Sequence, residues 1–122
     1  MLEPFENQQY LNLETFRKNG QGVKTPVWFA REGDSLYVWT QADSGKTKRA
    51  RNVAHVNIAP CKADGTLLGD WHSATICRDD SPEAVEKVRG LFVKKYGLVF
   101  HIFALVGKLR RAQYTTLKVN LK

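Results

Sequence analysis

Four cations fall within six residues of this chain: Lys46, Lys48, Arg49 and Arg51, followed at once by Asn52 and interrupted by no acid. A guanidinium presents a planar fork of donors and an ammonium a point charge, and both stay charged at neutral pH, so the run suits a phosphate group. Asp43-Ser44-Gly45 precedes it and offers a capping oxygen at Asp43 or Ser44. A helix beginning there would turn its free backbone N–H groups and positive dipole end toward the same anion. The plainer alternative is a solvated helix whose charges face water. Trp28, Trp39 and Trp71 could flank a planar ring system and exclude water from it, or could equally be core or interface residues. His55, His72 and His101 are scattered. No Ser-His-Asp set, carboxylate pair or metal-spaced histidine group is present, so the sequence predicts no catalytic side chain and no metal site.

The elements that position these residues read mostly as strands. Tyr10 to Phe16 alternates apolar and polar residues, the period of a half-buried strand. After the turn Asn19-Gly20-Gln21-Gly22, a hairpin is predicted from Val23–Arg31 and Ser35–Thr40 around Glu32-Gly33-Asp34. Pro26 cannot donate to a ladder, which places it at an edge, a bulge or an opening of the sheet. The segment from Lys46 to Asn52 is expected as a short basic helix. Val53–Ala59 reads as a strand, 60–66 as a turn at Asp64-Gly65, and Leu67–Arg78 as a longer strand. Ser81-Pro82-Glu83 opens a helix that should end at Tyr96, before Gly97. A second short helix is expected over Leu98–Val106, and Gln113–Leu121 returns as a strand.

These six strands, with a basic helix and a late helical pair, make a mainly β (α+β) fold, a small antiparallel barrel with helices against it. At 122 residues, 43% apolar and 25% charged, the chain is expected to be one soluble domain over 1–122. No stretch approaches a membrane span and no secretory leader is visible, so a cytoplasmic location is expected. Cys61 and Cys77 are expected as buried, reduced thiols. The net charge of +7 includes five basic residues and no acid from Gly107 onward, which predicts an anionic partner.

The stretch from Tyr10 to Pro60 resembles the pyridoxamine-phosphate-oxidase-like split-barrel superfamily, and within it the deazaflavin-dependent branch of small reductases. The residues that carry the resemblance are Lys24-Thr25-Pro26-Val27-Trp28-Phe29, Leu36-Tyr37-Val38-Trp39-Thr40, Ser44 to Asn52, and Val56-Asn57-Ile58-Ala59-Pro60. A looser similarity runs through Gly69-Asp70-Trp71 and the Ser81 helix to the last strand. The resemblance implies a six-stranded split barrel and a homodimer with cofactor sites at the subunit interface. It implies that Lys46, Lys48, Arg51 and Asn52 hold a phosphate, that Thr40 supplies a hydroxyl, and that Pro26, Val27 and Trp28 line the ring system, with Trp39 beside them. The superfamily's flavin mononucleotide (FMN) oxidases tend to carry Ser-Arg-Lys where this chain has Ser44-Gly45-Lys46. That departure favours the deazaflavin F420 over FMN as cofactor and hydride transfer to a small conjugated or carbonyl substrate as function. Other readings remain: an FMN protein, a haem-binding or non-enzymatic cofactor-binding barrel, a structural dimer with a decayed site, and a nucleic-acid-binding barrel. Against the last, the cations cluster after the third strand rather than interleaving with aromatic residues on one sheet face, so neither a nucleic-acid nor a membrane partner is expected.

Overall fold

The computed structural model describes residues 2–41, 45, 48–49, 54–79, 81–97, 99–100, 102 and 114–122. Six strands, β1 (Tyr10–Phe16), β2 (Gly22–Glu32), β3 (Ser35–Gln41), β4 (His55–Cys61), β5 (His72–Asp79) and β6 (Tyr114–Leu121), close into an antiparallel barrel in the order β1-β2-β3-β6-β5-β4. A 3-10 turn, Glu3–Phe5, precedes them, and helix α1, Pro82–Tyr96, lies between β5 and β6.

Alternation along each strand decides the interior. Leu11 and Leu13 of β1, Val27 and Phe29 of β2, Leu36 and Val38 of β3, Val56 and Ile58 of β4, Ala74 and Ile76 of β5, and Leu117 and Val119 of β6 point inward and form one buried cluster. Leu2 and Phe5 cover its upper mouth; the Phe5 ring stands edge-on to Phe29 at 6.1 Å and to His72 at 5.8 Å. The β2–β3 turn leaves two residues, Gly33 and Asp34, outside the ladder that ends at Glu32↔Ser35. Its geometry needs a positive φ, which Gly33 supplies at 58°.

Helix α1 starts where its sequence signals place it. The Ser81 side chain accepts from the Ala84 N–H at 3.2 Å, Pro82 fills the first turn, and the Gly97 N–H returns to Val93 O at the far end. Ala84, Val88, Phe92 and Tyr96 recur every four residues, one row on one face. That row packs on the outer faces of β2, β3 and β6 and builds a second core with Ala30, Tyr37 and Phe100. Beyond it, Val99, Phe100 and Ile102 are helical, in keeping with a second short helix; the rest of that expected helix, and residues 103–113, lie outside the described residues.

Three expectations need correction. β4 does not stop before Pro60: it continues to Cys61, with Pro60 opposite Leu11 of β1. Its pairing with β5 has ended at Ile58, so no β5 partner requires the N–H that proline lacks. The fifth strand is shorter than Leu67–Arg78, because 67–71 folds over the barrel end with Leu67 and Leu68 exposed and only the bridge Cys61↔Leu67. Cys61 is buried, but Cys77 is exposed: Ala74 and Ile76 take the inward positions of β5, and alternation turns Cys77 outward.

Truncation of Phe92 to Ala should empty the centre of the second core and lower unfolding free energy by about 3–5 kcal/mol. Urea denaturation followed by tryptophan fluorescence measures this, since Trp39 lies 6.4 Å from the Phe92 ring.

Candidate functional site

β2 runs for eleven residues and pairs with β1 from Gly22 to Trp28, but with β3 only from Phe29 to Glu32. Below Phe29↔Val38 the two strands part. Val23 to Trp28 on one side and Trp39 to Gln41 on the other form the lips of an opening, while β3 keeps its pairing with β6 down to Gln41↔Tyr114. Pro26 sits within the parted stretch, one of the places its missing N–H allowed.

The parting divides the residues expected at a cofactor. On the outer face of β2 stand Lys24, Pro26 and Trp28. Trp28 stacks on Tyr96 at 4.6 Å and 12°, and the Lys24 ammonium lies over the Trp71 ring at 5.4 Å. Across the gap, Trp39 meets Phe100 edge-on at 5.6 Å. Trp28 and Trp39 therefore share one aromatic cluster under α1, and Trp71 lies apart from it at Lys24. Val27 and Thr40 face inward, 8% and 6% exposed, so toward a ligand outside the barrel they would offer backbone groups rather than side chains. His55 lies flat on Phe16 and His72 contacts Phe5, at opposite ends of the barrel.

Of the basic segment, Lys46, Arg51 and Asn52 lie outside the described residues, whereas Gly45, Lys48 and Arg49 are helical. Lys48 is exposed. Arg49 is not distinguished by its sequence position, yet it makes the most specific contacts. Its Nε donates to Thr15 Oγ1 at 2.6 Å, so a side chain rooted between β3 and β4 reaches the last residues of β1. Its guanidinium lies directly over Gly45: a Cβ there would fall 2.7 Å from the nearer terminal nitrogen. Residues i and i+4 of a helix are neighbours, so a glycine at 45 opens the space that Arg49 fills. That spacing is the signal the sequence offers, a lost side chain at one position and a guanidinium one turn later.

Among the described residues, the surroundings of Arg49 are polar but not acidic. Desolvation, and then the nearby Arg17, lower its pKa. No described carboxylate lies within ion-pair distance of either arginine. Thr15, Thr40 and Thr115 are all buried and inward at this end, Thr40 opposite Thr115 across the β3–β6 ladder. The Thr115 hydroxyl has no hydrogen-bond partner among the described residues. A desolvated guanidinium beside a second cation, with threonine hydroxyls at hand, is an arrangement that an anion would stabilise.

Near the upper end of the gap, one hydroxyl joins β2 to the residue before β1. Tyr96 Oη accepts from the Phe29 N–H at 3.1 Å and lies 2.6 Å from Gln9 O and 2.9 Å from Phe29 O, to which its single proton can be given. The β1–β2 ladder ends at Tyr10↔Trp28, so this hydroxyl stands where the next rung would be.

No family model and no curated protein sequence matches the chain. Solved structures do. The heme storage protein HutZ from Vibrio cholerae superposes with a TM-score of 0.73 at 12% identity, over 99% of this chain and 90% of that one. A Clostridium acetobutylicum protein related to general stress protein 26, of the pyridoxine-phosphate oxidase family, gives 0.70 at 15% identity, over 98% and 79%. The conserved hypothetical protein Rv2991 from Mycobacterium tuberculosis gives 0.70 at 16%, over 98% and 77%. At these identities the likeness establishes the fold: a six-stranded split barrel of the pyridoxamine-phosphate-oxidase-like type. No helix among the described residues is long and apolar enough to cross a membrane.

Burial raises the Tyr96 pKa above its ordinary 10.0, so the hydroxyl form is favoured in the folded state. The stability this provides is present below pH 10 and should fall as pH rises beyond it, because the unfolded chain loses its tyrosine proton first. Tyr96→Phe should remove that part of the slope and, by leaving the Phe29 N–H unpaired, cost about 1–3 kcal/mol at neutral pH. Chemical denaturation of both proteins across pH 7 to 11 checks the two effects together.

Proposed function

We propose that the chain is a homodimeric, cofactor-dependent oxidoreductase that holds the deazaflavin F420 at the opening between β2 and β3, with the phosphate on the basic segment after β3. The observation that carries this reading is Arg49: a guanidinium seated on Gly45, tied to Thr15 and matched by no described carboxylate. Lys48 lies one residue away, and Lys46, Arg51 and Asn52 belong to the same run. Together they offer a phosphate both forks and point charges.

Bound in its reduced form, the cofactor supplies a hydride to a small conjugated or carbonyl-containing substrate, the accompanying proton coming from water. The protein's part is to bind, orient and shield. Arg49 and the lysines fix one end of the ligand. Pro26, Trp28 and Trp39 border the gap with rigid apolar surface, which keeps water from the reacting ring. The exposed Val99 and Ile102 beside Phe100, with Leu67 and Leu68 at the barrel end, offer apolar surface for the second subunit. The basic residues of the last segment, among them Arg110 and Arg111 outside the described residues, would meet the cofactor's acidic side chain.

Titration of the purified protein with F420 and with FMN, read by tryptophan fluorescence, tests the assignment. F420 should bind in the micromolar range and FMN at least about tenfold more weakly, which corresponds to 1.4 kcal/mol. Lys48→Ala with Arg49→Ala should abolish binding, and Gly45→Val should keep the fold but weaken binding by displacing the Arg49 guanidinium. Preference for FMN would transfer the site to a flavin oxidase. A Soret band with haem and no binding of either flavin would replace the reading with haem binding, in line with the heme storage for which the Vibrio protein is named. Salt-sensitive binding to generic oligonucleotides would do so in favour of nucleic acid.

A further inference from the structure

A second cleft, of about 480 Å³, lies at the opposite end of β2, between the 3-10 turn, the last residues of β2 and the final turns of α1. Phe5, Phe29, Ala30 and Leu91 give it an apolar wall. Its charged groups are Arg31 from β2, Lys94 and Lys95 from α1, and one carboxylate, Glu6. Glu6 stands 3.6 Å from Arg31 and offsets that charge, whereas no described carboxylate pairs with Lys94 or Lys95. The two lysines therefore leave the cleft positive.

Two of the cations are held in place by the fold itself. Arg31 Nε donates to Gly33 O at 2.8 Å while its Nη1 faces Glu6. Lys95 Nζ donates to Phe29 O at 2.7 Å and lies over the Phe29 and Tyr96 rings, 3.6 and 5.2 Å from their centres. A carbonyl oxygen and ring faces stabilise an ammonium, so these contacts keep Lys95 charged as well as positioned. An ammonium has three donors and the carbonyl takes one of them, which leaves others for an acceptor in the cleft. Lys95 is exposed, hence within reach of a ligand from solvent. A cation positioned beforehand loses less side-chain entropy on binding an anion than an ordinary surface lysine does.

We propose that this cleft binds a small organic carboxylate on an apolar body, an aromatic or branched aliphatic acid. The carboxylate accepts from Lys95 and Lys94, and the hydrocarbon covers Phe5 and Leu91. A bare inorganic anion would leave the wall uncovered, and a neutral hydrocarbon would leave the lysines uncompensated; an acid with an apolar body satisfies both. The site stands apart from the function proposed above. It shares no residue with the phosphate segment after β3 or with the apolar surface assigned to the second subunit.

The test is a titration of the isotope-labelled full-length protein at neutral pH with benzoate, benzamide and acetate, followed by backbone amide chemical shifts. Benzoate should move the amides of Arg31, Lys94 and Lys95 along one saturating curve in the millimolar range. Benzamide, with the ring and no charge, and acetate, with the charge and no ring, should each bind at least about tenfold more weakly. Lys94→Gln and Lys95→Gln should each weaken benzoate binding by about fivefold or more. Lys94 is exposed, so its replacement removes a charge and leaves the packing intact. Lys48→Ala with Arg49→Ala should bind benzoate as the native chain does, whatever the outcome with F420, so the two sites fail separately. Equal affinity for benzoate and benzamide, benzoate binding unchanged in both lysine variants, or its loss in the Lys48 and Arg49 variant would overturn the proposal.

Discussion

Much of this structure depends on how the backbone of β2 is satisfied hydrogen bond by hydrogen bond. The strand is longer than either neighbour, so each of its ends lacks a partner on one side. At the upper end the β1 ladder stops at Trp28, and the Tyr96 hydroxyl takes the place of the next rung between Gln9 and Phe29. A buried peptide N–H without a partner costs enough to shift the fold, so this single hydroxyl fixes where α1 ends over the sheet. From that anchor follow the stacking of Trp28 on Tyr96 and the reach of Lys95 to the Phe29 carbonyl. At the lower end β3 withdraws and α1 lies elsewhere, which leaves the gap where Pro26 is tolerated.

The two ends of the barrel are therefore unlike. The upper mouth is closed by apolar groups, Leu2 and Phe5, with cations arranged around the outside. The lower mouth keeps hydroxyls inside, at Thr15, Thr40 and Thr115, and has a guanidinium held at the first of them. Arg49 can lie there because Gly45 has no side chain. Among the described residues the charge that acts on Arg49 is that of another arginine, Arg17, and no described carboxylate pairs with either. A structural ion pair would need a carboxylate, and the carboxylate closest in sequence to Thr15 on its strand, Glu14, instead accepts from the Asn57 amide at 3.0 Å. The charge left over is what directs the functional reading toward an anionic ligand.

The resemblance seen in the sequence and the likeness seen in the structure meet at the fold and part at the chemistry. Both describe a six-stranded split barrel. The solved structures with this shape include a heme storage protein and a member of the pyridoxine-phosphate oxidase family, so one architecture is shared by proteins named for different roles. In the function proposed here, the choice among them would rest on a few side chains, chiefly Arg49, Lys48, Trp28 and Trp39.

What the sequence by itself determined is mostly local. Alternation placed β1 at Tyr10–Phe16, and serine, proline and glycine signals placed α1 at Pro82–Tyr96, because caps and periods are properties of neighbouring residues. The basic run raised the expectation of an anion site, which the proposed function takes up. Tertiary structure decided the rest. Pro60 could belong to a strand only because β5 stops pairing at Ile58, and Leu67 and Leu68 became an exposed bend instead of strand because β5 meets β4 only from His72 onward. Alternation sent Val27 and Thr40 inward and Cys77 outward, a sense that register fixes and composition does not. The importance of Arg49 lies in contacts with Thr15 and Gly45, one of them thirty-four positions away in the chain, and the Tyr96 rung joins residues eighty-seven positions apart. Contacts of that span come only from the closure of the barrel, which brings distant backbone groups to the point where their hydrogen bonds must be completed.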